Sequence, residues 1–243
     1  MRRKIAILKH CIFICLVLFA CQKGPLKRSG QVNTEVRPIE NFDALELGSN
    51  IEFYLKQSDT PRIEITFGKN LLKGVKTEVN GGKLSIYDRN TMNWLRDLKQ
   101  HAICTLWVQP GLKELMINGS AKVRCIDTIN GGTIKVVNGT SIDQELLFNM
   151  GVVNGSCEYS GAMTLRGKAN ILAWTVKKGS FLNASELNND DTYLFHFTVN
   201  DCFVAPKIRL EATLGNSGNA INTGAAAGLK IKKGQGQGMI IDK

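Results

Sequence analysis

The 243-residue chain carries 31 basic and 21 acidic groups, a formal net charge of +10, with 43% hydrophobic residues and 24 glycines against five prolines. That suits one or two domains with a buried core, turn-rich without being low-complexity. The lysines and arginines are scattered and no helix-turn-helix or aromatic RNA motif accompanies them, which excludes nucleic acid as the expected partner.

Residues 1–20 read as a secretory signal. Arg2, Arg3 and Lys4 form a positive start, Lys9 and His10 still precede the apolar run at 11–20, and Leu18-Phe19-Ala20 leads into Cys21. Ten apolar residues in a helix cover only half of a ~30 Å hydrocarbon core, too few for a membrane span. A basic start, a short apolar run and a small residue before a cut are what a signal peptide needs. Leu-Phe-Ala-Cys resembles a bacterial lipobox, whose cysteine is acylated and becomes the new N-terminus. Phe19 departs from the pattern, which favours a smaller residue there. Cys21 is therefore the expected lipidation site; an ordinary signal cleaved nearby, with Cys21 an incidental thiol, is the alternative.

Residues 21–35 are polar, rich in Gly, Pro and Ser at their start, and read as a flexible tether. Lipid and basic tether together supply two membrane signals. Residues 1–20 hold four basic and no acidic groups, so the remainder carries 27 basic and 21 acidic, a net of +6. The body, 36–243, is expected as one domain, with two lobes at 36–111 and 112–243 as the finer division.

From Val36 onward hydrophobic and polar residues alternate as in half-buried strands: 42–47, 51–55 and 62–67. The runs 75–79 and 84–87 flank Asn80-Gly81-Gly82, which suits a tight hairpin with positive φ, Val79 and Leu84 on either side. Residues 90–100 form the one plausible helical turn or loop, with Trp94, Leu95 and Leu98 placed to cover a core end. Residues 103–108 return to strand and Pro110-Gly111 closes it.

Between 112 and 224 a phrase recurs. It reads MINGSA at 116–121, VVNGTS at 136–141, VVNGSC at 152–157 and VKKGSF at 176–181, with looser copies TVNDC at 198–202 and LGNSGNAI at 214–221. The glycines fall at 119, 139, 155 and 179, at intervals of 20, 16 and 24. A unit of this size cannot bury its own apolar face, so copies must stack. The expected fold is all-β, a β-solenoid of the parallel β-helix type with Asn-Gly-Ser/Thr turns, preceded by shorter alternating strands. The expected inward residues include Leu115, Ile117, Ile134, Val136, Leu165, Ile171, Ala173, Leu194 and Phe197. Each glycine is expected at a sharp turn, and Ser120, Thr140, Ser156 and Ser180 to form a hydroxyl ladder. The tail at 229–241 reads as a last coil whose charges help protect an exposed edge. An antiparallel sandwich is the competing architecture.

Seven cysteines divide into Cys11 and Cys15 in the signal, Cys21, and Cys104, Cys125, Cys157 and Cys202 in the body. Those four allow three disulfide connectivities. Cys157 and Cys202 occupy matching points of the phrase, so a column of unbonded thiols is the alternative. Without CxxC or a Cys/His cluster, no metal site is expected.

Three stretches carry a family likeness: NFDALELGSNIEFYLKQ at 41–57, NLLKGVKTEV with NGGKLSIYD at 70–88, and SGNAINTG at 217–224, around the repeated NGS phrases. Together they resemble the DUF2807 family, labelled as the head GIN domain of an auto-transporter adhesin and common in Bacteroidetes lipoproteins. Members typically repeat Gly-Ser-Gly where this chain has Asn-Gly-Ser, and place an aromatic where Asn222 stands. The resemblance implies a β-solenoid on an exported lipoprotein. The tether lacks the acidic run that resembles a surface-export signal in that phylum. That favours the periplasmic face of the outer membrane over the cell surface.

Chemistry is sparse. His101 and His196 are the only histidines after the signal, and no Gly-x-Ser-x-Gly elbow, phosphate loop or HExxH occurs. Asn189-Asp190-Asp191 lacks the spacing of a calcium loop. Asp143, Glu145, Glu158 and Arg166 are the one acidic and basic group close enough in sequence for a β-helix lyase or hydrolase. Tyr54, Trp107, Trp174 and Tyr193 are either sugar platforms or core. Asp127-Thr128-Ile129 resembles a short O-glycosylation acceptor. No catalytic, cofactor-binding or metal-ligating residue is assigned and no cofactor is expected. The function expected is a non-enzymatic envelope lipoprotein, held to the membrane by its N-terminal lipid, an adhesin or interaction scaffold for an envelope protein or glycan. The alternative is a carbohydrate-binding or carbohydrate-cleaving β-helix.

Overall fold

The structure is a computed structural model that describes residues 29–90, 101–232 and 234–243. Cys21, the signal at 1–20, and Trp94, Leu95 and Leu98 lie outside the described residues. The described strands form one continuous seventeen-stranded sheet wound into a solenoid.

The first strand, β1 (Val32–Pro38), begins inside the 21–35 stretch and runs antiparallel to β4 (Arg62–Gly68). Between them lie β2 (Ala44–Leu47) and β3 (Ile51–Gln57), the two sides of an early coil. After a single 3-10 turn at Leu72–Gly74, β5 (Val75–Asn80) and β6 (Lys83–Asp88) make the expected hairpin. Gly81 and Gly82 take φ of 57° and 77°, and Val79 pairs with Leu84. Two consecutive positive-φ residues match the right-handed twist of the flanking strands.

Then come β7 (Ala102–Val108), β8 (Glu114–Gly119) and β9 (Lys122–Cys125). One face stacks β6, β2 and β8 in parallel; the other stacks β7, β3 and β9. The segments 36–111 and 112–243 thus share one core, from Leu45, Phe53 and Leu106 through Ile117 and Val123 to Leu172 and Leu210.

Longer strands follow: β10 (Ile129–Thr140), β11 (Gln144–Cys157), β12 (Ala162–Val176), β13 (Phe181–His196) and β14 (Cys202–Leu214). Each wraps from one face over a corner to the other. The corner reverses the parity of burial. In β11, Gln144, Leu146, Phe148 and Met150 point inward before it, and Val153 and Cys157 after it. The same reversal in β12 turns Leu172 and Trp174 inward, and Ile171 and Ala173 are only part-buried, a correction to the strict alternation expected there. Phe197, also expected inward, is exposed.

The stacking register corrects the role of the repeated phrase. Ile129, Phe148 and Gly167 form one column, a constant step of 19 residues, so the phrases at intervals of 20, 16 and 24 do not stack on one another. Gly155 lies beside Val136 and Trp174 instead of Gly139. Gly119 and Gly179 do take positive φ at turns, whereas Gly139 and Gly155 sit within strands. Gly155 makes room: a Cβ there would lie 2.5 Å from the Trp174 ring and 2.4 Å from the Val136 carbonyl oxygen. The hydroxyl ladder does not form either, since Thr140 pairs with Gly119 and Ser156 with Val137 and Thr175.

The chain finishes with β15 (Ala220–Asn222), β16 (Gly228–Lys232) and β17 (Ile240–Asp242). β16 stacks on β14 and β17 on β15, so the tail is a last coil as expected.

Candidate functional site

The solenoid walls are laced with paired charges. Glu145 sits between Arg124 (3.7 Å) and Arg166 (3.9 Å), and Arg166 reaches on to Glu186 (3.1 Å), a ladder climbing from β9 to β13. Glu158 stands elsewhere, where the Ser156 hydroxyl and then the Lys177 ammonium hold its carboxyl below the usual range against the opposing effect of burial. Asp143 accepts a hydrogen bond from the Ala162 backbone N–H at 2.9 Å. Of the four residues singled out for lyase-like chemistry, Glu145 and Arg166 meet only as an ion pair within this ladder, and Asp143 and Glu158 take other partners. Each is bound into the scaffold.

The remaining candidates are structural as well. Asp191 takes Arg209 with both oxygens, at 3.1 and 3.2 Å, a bidentate pair. Asn189 is buried and donates to the Asp191 carbonyl and the Thr192 hydroxyl. Among the described residues no group of three or more His, Cys, Asp or Glu could hold a metal. His196 is buried with Nε2 2.7 Å from the Asn200 carbonyl oxygen, and burial pushes its pKa down. His101 is half-buried, with Nε2 3.3 Å from Glu52. Asp127 and Thr128 lie on the bend between β9 and β10, with Ile129 buried behind them.

Trp174 belongs to the core, and Trp107 is covered by the Arg62 guanidinium, 3.9 Å above its ring, and by Lys56. Tyr193 has Arg209 over its ring at 5.4 Å, and Tyr54 is half-buried. The four body cysteines are free. Burial pushes the thiols of Cys104, Cys125 and Cys202 up to about 12 and that of Cys157 up to about 11, which keeps them protonated and unreactive. Cys157 stacks between Asn138 and Val176, while Cys202 stacks on Ala220, so the thiol column is not present.

One place differs. At the corner of β10–β13 the residues in register are Asn130, Asn149, Lys168 and Asn188, one per coil. Gln57, Asn130 and Asn149 form an amide ladder, with bonds of 2.9 and 2.8 Å. Beyond Asn149 two adjoining recesses open, of about 290 and 310 Å3, sharing Asn188 and Lys207. The first is lined by Asn149, Lys168, Asn170 and Asp190, with Met150 and Ala169 behind.

The recess exists because the β13–β14 ladder breaks there. Ala184 pairs with Val204 and Asn189 with Pro206, leaving four residues of β13 facing one of β14. Proline has no N–H to donate, which favours such an interruption. β11–β14 carry four cations; Arg166 and Arg209 have carboxylate partners, and Lys168 and Lys207 have none. Both unpaired cations line the groove. Sequence reading missed it, because the residues are spread over some sixty positions and only the 19–20-residue register aligns them.

The model of DUF2807, described as "Putative auto-transporter adhesin, head GIN domain", matches residues 41–226. The chain belongs to this family. Membership implies an exported envelope protein with an adhesin-like role. Among solved structures, a "putative adhesin" from Bacteroides fragilis superposes with a TM-score of 0.76 at 16% identity, covering 88% of this chain and 97% of the other. A "putative adhesin" from Parabacteroides merdae gives 0.59 at 20% identity, over 90% and 98%. A "putative lipid binding protein" from Parabacteroides distasonis gives 0.57 at 19%, over 88% and 94%. At these identities the likeness concerns the fold alone. No curated protein matches the chain. Among the described residues no helix is long and apolar enough to cross a membrane.

Proposed function

We propose that the chain is a non-catalytic adhesin-type module, lipid-anchored through Cys21 to the outer membrane on its periplasmic face. Its solenoid surface is offered to another envelope protein or to a glycan. The observation that carries the non-catalytic reading is that Glu145 and Arg166 are tied into one salt-bridge ladder with Arg124 and Glu186, while Asp143 and Glu158 are each held by other partners. Hydrolysis or elimination needs an acid and a base aimed at one point, free to move a proton. The family match and the exported leader-like start support the location.

The test takes the mature lipidated chain in detergent to a glycan array, with mass analysis of every bound glycan, alongside membrane fractionation of a Cys21→Ser variant. Binding without chain shortening, and release of the variant from the membrane fraction, are expected. Shortened glycan would overturn the non-catalytic assignment, and a variant that stays with the membrane would overturn the anchor.

A further inference from the structure

The corner groove has a chemistry of its own. Its two cations, Lys168 and Lys207, lack carboxylate partners, while the arginines on the same strands, Arg166 and Arg209, are both neutralised. Asn149, Asn170, Asn188 and Asp190 supply amide donors and acceptors and one carboxylate acceptor around Lys168. Glu186, in the adjoining recess, is already held by Arg166. The groove therefore presents a net positive charge inside a ring of groups that exchange hydrogen bonds in both directions.

Those groups are spaced by the coil. Asn149, Lys168 and Asn188 are in register on successive strands, so like positions recur every roughly 4.8 Å along the axis. That is close to the length one sugar ring adds to an extended linear chain. Amide and carboxylate side chains are matched to vicinal ring hydroxyls, and lysines to a carboxylate or sulfate on the ring. A polypeptide strand would need free ladder groups at a sheet edge, whereas this groove lies across the middle of the stack, with β13 paired on both sides outside the interruption.

The geometry points to a binding site for a linear acidic oligosaccharide along the β11–β14 corner, its anionic groups on Lys168 and Lys207 and its hydroxyls on Asn149, Asn170, Asn188 and Asp190. This rests on the adhesin-type reading and gives it a ligand class. The groove is shallow and open, so it holds a stretch of a longer chain, not an enclosed monosaccharide.

The test is calorimetric titration of the mature full-length chain with hexagalacturonate, with neutral maltohexaose and with hexaglutamate. Hexagalacturonate is expected to bind at least about tenfold tighter than either of the others, and binding should weaken as salt rises. A Lys168→Gln/Lys207→Gln variant should lose at least about tenfold in affinity, since each lysine contributes a charge-assisted contact. A Lys69→Gln/Lys73→Gln variant, with equal charge removed at two exposed positions of the β4–β5 link, should stay within about twofold of the parent. Hexaglutamate binding as tightly as the sugar would overturn the proposal in favour of bare charge attraction. Equal losses in both variants, or no sugar binding, would overturn it too. A negative result here leaves membrane location and array binding intact, so it is distinguishable from failure of the adhesin-type reading.

Discussion

The two ends of the solenoid meet solvent in opposite ways. At the N-terminal end the link from β4 to β5 crosses between the faces and buries Leu71 and Leu72 against the core. Arg37 on β1 locks this cover, donating to the Val75 carbonyl at 2.7 Å and the Leu72 carbonyl at 3.1 Å, with Glu35 against its Nε. The antiparallel pairs β1–β4 and β5–β6 then replace the parallel stack. At the other end β16 and β17 have strands stacked on one side only, among the described residues. Leu229 and Ile231 continue the inward columns of Leu210 and Ala212, yet they are 42% and 51% exposed where the residues above them are fully buried. What guards that edge is charge: Lys230 and Lys232 alternate with the apolar pair, Lys232 salt-bridged to Glu211. Lysine on an edge strand discourages pairing with another chain. One end is closed by packing, the other by repulsion.

The sharpest contrast is one coil deep. Leu210 is enclosed by coils on both sides, so Leu210→Ala should cost about 2–5 kcal/mol, lost contacts and a residual cavity together. Urea unfolding followed by circular dichroism measures it; a cost below about 1 kcal/mol would mean the last coil does not pack on β14. Next comes the closed end. Arg37→Ala removes the guanidinium donors from the Val75 and Leu72 carbonyls in a part-buried setting, the latter keeping only the Val75 N–H, and should cost about 1–3 kcal/mol. Amide hydrogen exchange should then speed up in β1 and β5 while β11 and β12 keep their protection. Uniform loosening of all strands would show that Arg37 does not act as a local lock.

Much of this was legible in the chain. Alternation marked the early strands, Asn80-Gly81-Gly82 marked the hairpin, and recurrence of a phrase marked the solenoid. The phase of the stack was not legible. Asn-Gly-Ser looked like one device used four times, but it is a turn at Gly119 and Gly179, a close approach to Asn118 at Gly139, and a slot for the Trp174 ring at Gly155. Strand spacing aligns coils by path length, and the phrase drifts across that alignment by three residues between β10 and β11. Ile171 and Phe197 were misplaced for a related reason: a corner consumes residues and reverses parity, and nothing in a hydrophobic alternation announces where it falls. The groove inherits both difficulties, since its column needs the true register and its opening needs the interruption at Pro206.

The smallest expected effect is the most discriminating for the open end. Leu229→Ala removes the same atoms as Leu210→Ala from the same column, one coil further out. A fully buried leucine contributes about 1.5–3 kcal/mol over an exposed one, and Leu229 keeps a large share of its surface in water, so its loss should cost less than about 1 kcal/mol. No cavity term adds to this, because solvent fills the vacated side. Unfolding is to be measured at two protein concentrations a hundredfold apart. A small cost, equal at both, is what an uncovered coil guarded by Lys230 and Lys232 requires. A cost approaching that of Leu210→Ala at the higher concentration alone would mean that a second molecule covers the edge in solution, and that lysine repulsion is too weak to keep the end bare.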